Sequence, residues 1–430
     1  MALDVTWSKL TDLNLERDGW RIVTIGDYGK SGAKSVVNGP FGSDLLTSEL
    51  MDEGVPVIYS GDVRPGVYSR KKVAKSFVTE EKAALLSAFQ TKTNDVIIAK
   101  VGDPPGNSAV YREPQDAVVT QDVIRIRPSS SVDPGFLSAV LNSDIGRRQV
   151  HRIMISGTRG RVSLTDFKKM KLPVAPLPEQ RKIAEILSTW DRAIETTEVL
   201  LANARAQKRA LMQTLLTGKR RFPEFEGQEW REVRLGDVGT VSSAGVDKKT
   251  DPNQPEVRLL NFLDVFRREF IFDNELDHVV TAPPAKVEQC NIRRGDVFFT
   301  PSSETRDEIA IPAVAAEDMP GVCYSYHVVR FRLKEDWDLN FRAYVFQTFD
   351  FRRQAYLLGD GSGQRYVISQ NNFRQMVVRV PGLAEQKKIG AVLKAASDEV
   401  GRLKSDIEKL RAEKKALMQQ LLTGKRRVRV

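Results

Sequence analysis

Ala210-Leu211-Met212-Gln213-Thr214-Leu215-Leu216-Thr217-Gly218-Lys219-Arg220-Arg221 decides the reading of this chain, because it returns from Ala416 to Arg427 with one change, Thr214 to Gln420. Upstream, Glu179-Gln180-Arg181-Lys182-Ile183 returns as Glu385-Gln386-Lys387-Lys388-Ile389 at the same offset, with no insertion between the two matches. Such self-similarity is the signature of an internal repeat. Weaker echoes precede each copy. Trp20-Arg21-Ile22-Val23-Thr24-Ile25-Gly26-Asp27 resembles Trp230-Arg231-Glu232-Val233-Arg234-Leu235-Gly236-Asp237, and Asn94-Asp95-Val96-Ile97-Ile98 resembles Gly295-Asp296-Val297-Phe298-Phe299. Gly157-Thr158-Arg159 through Ser163 and Phe167 lines up with Gly363-Gln364-Arg365 through Ser369 and Phe373. The chain therefore divides into a globular unit (1–176), a helix (177–221), a second globular unit (222–380) and a second helix (381–430). The helices match closely and predict one job done twice. The diverged units predict related jobs on different targets.

From Glu179 to Leu216 there is neither Gly nor Pro, and good helix formers abound. Pro178 suits a helix start, Gly218 suits a left-handed cap, and Lys219-Arg220-Arg221 complement the negative helix end. The second copy closes in the same way at Gly424. A 3-4 apolar spacing runs through Ile183, Leu187, Trp190, Ile194, Thr197, Leu201, Ala204, Lys208, Leu211 and Leu215, with Met212 beside it. Its counterpart runs through Ile389, Leu393, Ala396, Val400, Leu403, Ile407, Leu410, Lys414, Leu417 and Leu421. A seam held for about four heptads predicts two helices wrapped on each other. An antiparallel pairing would give the body approximate two-fold symmetry, with Lys208 and Lys414 setting the register. Ile183, Leu187, Ile194, Leu201, Leu211, Met212, Leu215, Ile389, Leu393, Val400 and Ile407 are the expected coiled-coil and partner-docking positions.

With 430 residues, 41% hydrophobic and 28% charged, the composition is that of an ordinary globular protein of two or three domains. No window approaches 18 consecutive apolar residues, and the N-terminal residues lack the pattern of a secretory signal. Cys290 and Cys323 are too few for a disulfide scaffold or a four-ligand zinc site. A cytoplasmic location is expected. The net charge of +10 suits a polyanionic partner.

Short β-type runs such as Val55–Tyr59, Val96–Ala99, Val123–Ile126, Val297–Phe299 and His327–Phe331 are bounded by turn residues. Helical stretches are fewer: Glu80 to Phe89, Gly135 to Gln149 and Phe341 to Leu357. The class is α+β. Loops combining small and basic residues recur in both units, at Asn38–Ser43, Ser156–Arg161, Gly245–Lys249 and Gly359–Tyr366. Small residues let backbone amides approach phosphates, and Arg can read guanine edges. The candidate DNA-contacting residues are Gly42, Ser43, Lys100, Arg159, Arg161, Lys248, Lys249, Ser302, Ser303, Arg365 and Tyr366.

Catalytic signatures are missing. Asp103-Pro104-Pro105-Gly106 puts Gly106 where an amino-methyltransferase needs a base-stacking aromatic residue. Gly359-Asp360-Gly361-Ser362-Gly363 follows an expected helix instead of a strand, the wrong context for a cofactor fingerprint. His151, His278 and His327 are isolated. No catalytic, cofactor-binding or metal-binding residues are expected in this chain.

On Pro176-Leu177-Pro178-Glu179-Gln180, Leu383-Ala384-Glu385-Gln386, the two Leu-Leu-Thr-Gly-Lys-Arg helix ends, Asn38–Ser43 and Leu260–Val265, the chain resembles the specificity subunits of type I restriction-modification systems. Ala384 in place of the first copy's Pro178 is a departure that touches only the second helix start. The resemblance spans nearly the full length. It implies two target recognition domains, each reading half of a bipartite asymmetric DNA site, with paired helices as the spacer. It also implies partners: two modification subunits that bind S-adenosylmethionine and methylate adenine, and restriction subunits that use ATP and Mg2+. The specificity subunit of that family is not itself an enzyme. Divergent readers suit two different half-sequences, whereas identical ones would require a palindrome. A coiled-coil scaffold that does not read DNA is the alternative, and salt-insensitive or absent duplex binding would favour it.

Overall fold

The computed structural model describes residues 19–430 except 31–33, 72–73, 249 and 363. Two compact units emerge, one holding the residues up to Glu198 together with Ser405–Val430, the other Val199–Lys404. Each unit thus takes a part of both long helices, Leu177–Leu215 and Leu383–Leu421, of 39 residues each. The uninterrupted run of helix formers extends these helices, and Gly218 (φ +71°) and Gly424 (φ +67°) end them in the left-handed conformation.

In the first unit, strand Arg21–Thr24 pairs antiparallel with Lys171–Val174. Strands Ser108–Val110, Val96–Ala99, Val123–Ile126 and Val36–Asn38 lie in that order in an antiparallel sheet. A second sheet orders Phe77–Val78, Val55–Ile58, Ala117–Val119 and Gln90–Thr91, the middle pair parallel. A third joins Met154–Ile155, Gly160–Val162 and Val101–Gly102. The second unit repeats this plan. Arg231–Arg234 pairs with Val377–Val380. Gly239–Ser242, Val329–Leu333, Val297–Phe299, Pro312–Ala315 and Phe270–Ile271 form the larger sheet, and Glu256–Leu260 runs parallel to Met319–Tyr324 in the next. Asp360–Ser362, Arg365–Val367 and Ser302–Ser303 make the counterpart of the third sheet.

Within each unit the helix segments run in opposite directions. In the first, Asp191 meets Lys414, Glu198 meets Arg411 and Glu179 meets Arg427. In the second, Lys208 meets Ser397 and Arg221 meets Glu385, so rising numbers face falling ones. The fold is α+β with two long antiparallel helices. Lys208 also binds Glu269 of the globular part, so both seam lysines are neutralised by carboxylates.

The seam does more than pair helices. Ile183, Leu187, Leu421 and Leu422 belong to the first unit's core with Trp20, Phe136 and Phe167. Leu215, Leu216, Ile389 and Leu393 belong to the second unit's core with Phe299, Phe341 and Phe373. At about 1.5–3 kcal/mol per buried side chain, four such residues contribute about 6–12 kcal/mol, comparable with the whole net stability of a domain. Leu201 and Ile407 are buried as well, while Ile194, Leu211, Met212 and Val400 are half-buried. The buried side chains hold the chain's own fold, while the half-buried ones keep part of their surface accessible.

A repeated clasp explains the Glu-Gln pair at each helix start. Trp20 Nε1 donates to Glu179 (3.1 Å) and Trp230 Nε1 to Glu385 (3.2 Å), while Arg427 and Arg221 bind the same carboxylates. Gln180 accepts from the Asp133 amide and donates to the Ala175 and Ser131 carbonyls. Gln386 accepts from the Asp338 amide and donates to Pro381.

Two expected helices are each broken in two. Pro134–Asn142 and Asp144–Ile153 part at Ser143, and Leu339–Val345 and Phe349–Leu358 part at Phe346–Thr348. Ser143 and Thr348 take extended backbone, and Thr348 Oγ1 caps the following helix by accepting from the Phe351 amide.

Candidate nucleic-acid interface

In both units a glycine is pressed against the loop before a central strand. A Cβ on Gly39 would lie 2.0 Å from the Val119 oxygen and 2.3 Å from the Thr120 carbonyl carbon. One repeat on, a Cβ on Gly245 would lie 2.2 Å from the Ser325 carbonyl carbon and 2.4 Å from the Tyr326 nitrogen. Only glycine permits such contact of two backbones. Hydrogen bonds secure it: the Gly39 amide donates to Thr120 (3.2 Å), and at the second junction the Val246 amide donates to the Tyr324 carbonyl (2.9 Å) while the Val246 carbonyl accepts from the Tyr326 amide (3.1 Å). The residues beyond each glycine reach solvent. Phe41 is 69% exposed, Gly42, Ser43 and Lys248 are exposed, and Lys249 lies outside the described residues. A Cβ on Gly42 would meet open space, so packing does not demand that glycine.

The same loop meets the small third sheet. In the first unit the Lys100 amide donates to Asp122 (2.8 Å), and the Lys100 carbonyl accepts from Val162 of the Gly160–Val162 strand. Arg161 on that strand, exposed, sits opposite Val101. Partial burial, and secondarily Arg161, push the Lys100 ammonium below its ordinary pKa, with Asp122 opposing. Arg159 is exposed in the preceding turn. Lys100, Arg159 and Arg161 therefore gather beside the Gly39 junction. The Asp103–Gly106 segment is bedding: Arg147 donates to the Pro105 carbonyl, and Pro105 underlies Gly160.

In the second unit, the Ile368 amide donates to the Pro301 carbonyl, the counterpart of the Val162–Lys100 bond. Gly359–Tyr366, expected as a loop, contains strand Asp360–Ser362 and the first two residues of strand Arg365–Val367. Arg365 is exposed, and its Nε (3.2 Å) and Nη2 (2.8 Å) both donate to Ser302 Oγ. Ser302 is itself buried, placed to hold Arg365 in position and not to meet a ligand directly. Ser303 donates to Glu308 (2.6 Å), and Tyr366 carries the Arg306 guanidinium 4.8 Å above its ring. His327 and Tyr326, their rings 3.8 Å apart, lie in the loop that follows the Met319–Tyr324 strand. Burial first, then Lys248 and Arg365, lower the His327 pKa, with Asp247 opposing, so these three charged groups surround the His327 ring.

Lys100, Arg159 and Arg161 are thus brought together in one unit, and Lys248, Ser302, Ser303, Arg365 and Tyr366 in the other. Sequence reasoning missed Phe41 and His327. Phe41 lies within the Asn38–Ser43 motif, whereas nothing local to His327 marks it. Cations, an exposed ring and free backbone suit non-covalent recognition of a polyanion. Among the described residues no group of His, Cys, Asp and Glu is arranged to hold a metal ion, and no helix is long and apolar enough to cross a membrane.

Comparison with known proteins agrees with this duplication. The type I restriction enzyme MjaVIII specificity subunit of Methanocaldococcus jannaschii is 23% identical over 429 residues, covering 96% of this chain and 94% of that protein. The StySPI specificity subunit of Salmonella potsdam is 21% identical over 369 residues, covering 79% and 74%. The crystal structure of a type I restriction-modification S subunit from M. genitalium shares the fold, with a TM-score of 0.57 at 14% identity, covering 94% of this chain and 96% of that one. Residues 18–203 and 227–410 each match the type I restriction modification DNA specificity domain, and since these matches span most of the sequence, the chain belongs to that family with two copies of its domain.

Proposed function

We propose that each unit presents its glycine-anchored loop and small sheet to one half of a bipartite, asymmetric DNA site. Phosphates are met by the cations and base edges by the strand and loop side chains. One observation carries this reading: equivalent places on a shared scaffold bear different chemistry. Lys100 corresponds to Pro301, Val101 to Ser302, Arg161 to Val367 and Phe41 to Asp247. Two readers so different suit two different half-sequences.

The chain acts without catalysis of its own. Methylation and cleavage fall to modification and restriction subunits, which would supply the S-adenosylmethionine, ATP and Mg2+ sites. The length of the long helices sets the number of base pairs between the half-sites. Two modification subunits dock on the matched helix ends, where Lys219-Arg220 and Lys425-Arg426 are exposed.

The test is to sequence methylated sites in cells expressing this chain with its partner subunits. An interrupted site with unlike halves is expected, and a palindrome would overturn the reading. Duplex affinity should fall steeply with salt, as phosphate contacts require. Salt-independent assembly would point instead to a scaffold.

A further inference from the structure

Resting on that reading, we infer that Arg365 is the base-reading residue of the second unit, that it demands guanine at one position of its half-site, and that Ser302 positions it.

Arg365 lies on the central strand of its small sheet, between Asp360–Ser362 and Ser302–Ser303. Its backbone is confined: at Gly361 (φ +134°) a Cβ would come within 2.2 Å of the Arg365 carbonyl oxygen. Its side chain is confined as well. Ser302 Oγ accepts from Nε and Nη2 together, and Ser302 is only 7% exposed, so this acceptor is largely shielded from water. Those two bonds occupy one edge of the guanidinium. Nη1 and the outward N–H of Nη2 remain, a forked pair that matches the O6 and N7 acceptors of guanine in the major groove.

A phosphate contact needs no such restraint, since a flexible cation satisfies it. The neighbours favour a base edge too. Val367, two residues along the same strand face and 43% exposed, offers an apolar surface beside the fork. Lys248 and His327 lie close by and can take the phosphates. In the first unit, Val101 stands where Ser302 does and has no hydroxyl, so Arg159 lacks this support. The guanine requirement therefore belongs to the second half-site.

The experiment profiles methylated sites for the full complex carrying the wild-type chain, R365A, R365K or S302V, with a thermal melt of each. Wild type should show an obligatory guanine in the second half-site. R365A and R365K should lose roughly five- to 150-fold of the preference for it, the range of a bidentate contact. S302V should relax the same position less, with the arginine retained and the first half-site unchanged. R365K keeps the charge and most of the bulk, which separates lost reading from lost folding. A second half-site without a required guanine overturns the inference. So does an R365A variant that weakens every site equally with preferences intact, since that describes a phosphate contact. Either result leaves a bipartite site standing. A wild-type complex with no bipartite site removes the underlying reading along with the inference.

Discussion

Adding one methyl group at Gly39 should abolish the reading of one half-site and spare the other. The structure sets the scale. The new Cβ would stand 2.0 Å from the Val119 oxygen and 2.4 Å from the Thr120 oxygen, both backbone atoms that cannot rotate away. Ordinary contact needs more than an ångström of extra separation, and the Gly39 amide bonds to Thr120 and Val123, at 3.2 and 3.3 Å, do not survive that shift. Overpacking of this kind costs about 1–3 kcal/mol, and each lost hydrogen bond adds about 0.5–1.5 kcal/mol. The total is about 2–6 kcal/mol. The exposed segment from Phe41 to Ser43 yields more readily than the buried strand Val123–Ile126, so the loop is displaced while the core survives. Since about 1.4 kcal/mol corresponds to tenfold in binding, methylation of sites that depend on the first half-sequence should fall at least tenfold.

The assay is methylation of a duplex library in which each half is randomised in turn, by the complex carrying G39A, G245A or G42A. G39A should blur only the first half and G245A only the second. G42A, whose added Cβ meets open space, should fold with unchanged stability. If G39A retained full activity and sharp preference at both halves, the glycine junction would not hold a reading loop, and the assignment of that surface would fall.

Three further outcomes are expected. His327 is held below its ordinary pKa by burial and by Lys248 and Arg365, and nearby phosphates would favour its charged form. Binding then takes up a proton, so affinity should rise as pH is lowered through the region below neutrality, and a titration in which H327Q kept the same slope would refute this. Replacing Gln180, fully buried, with Ala leaves the Asp133 amide and the Ala175 carbonyl without partners, at about 1–3 kcal/mol each. For a unit of this size each kcal/mol is worth about 2–4 °C, so calorimetry of Q180A should show a clearly lowered transition, and an unchanged one would remove the clasp. Excising four residues from one long helix, about 6 Å of rise, should change the accepted gap in a spacer library while both half-sequences remain readable.

The long helices were legible because an uninterrupted run of helix formers leaves few alternatives, and Val96–Ala99, Val123–Ile126 and Val297–Phe299 are strands with those same bounds. The breaks at Ser143 and Thr348 were not, since a capping residue inside a helical pattern resembles a tolerated polar one until its backbone is seen. Asp360–Ser362 and Arg365–Val367 looked like a loop because three-residue strands offer too few positions for alternation to show. His327 stands isolated in the sequence. Its significance comes from Lys248 and Arg365, far off in sequence and adjacent only after folding. The Glu-Gln pairs were plain as a repeat, yet their purpose lay in contacts with Trp20, Trp230, Asp133 and Asp338 that no spacing reveals.

The duplication separates architecture from reading without recourse to any other protein. Where both copies keep a buried polar residue or a closely packed glycine, its work is internal. Trp20 and Trp230 bind Glu179 and Glu385, Arg127 and Arg332 each make two bonds to Asp95 and Asp296, and Gly39 and Gly245 admit a neighbouring backbone. Where the copies differ on the shared small sheet and loop, the residues face solvent or orient those that do: Arg161 against Val367, Phe41 against Asp247, Val101 beside Ser302. A scaffold under one set of packing constraints accepts few changes in its buried polar contacts, each of which would strand a partner. Its rim accepts many. Divergence on the rim is what two readers of unlike DNA sequences require, while the helix ends Ala210–Arg221 and Ala416–Arg427 differ at one position only.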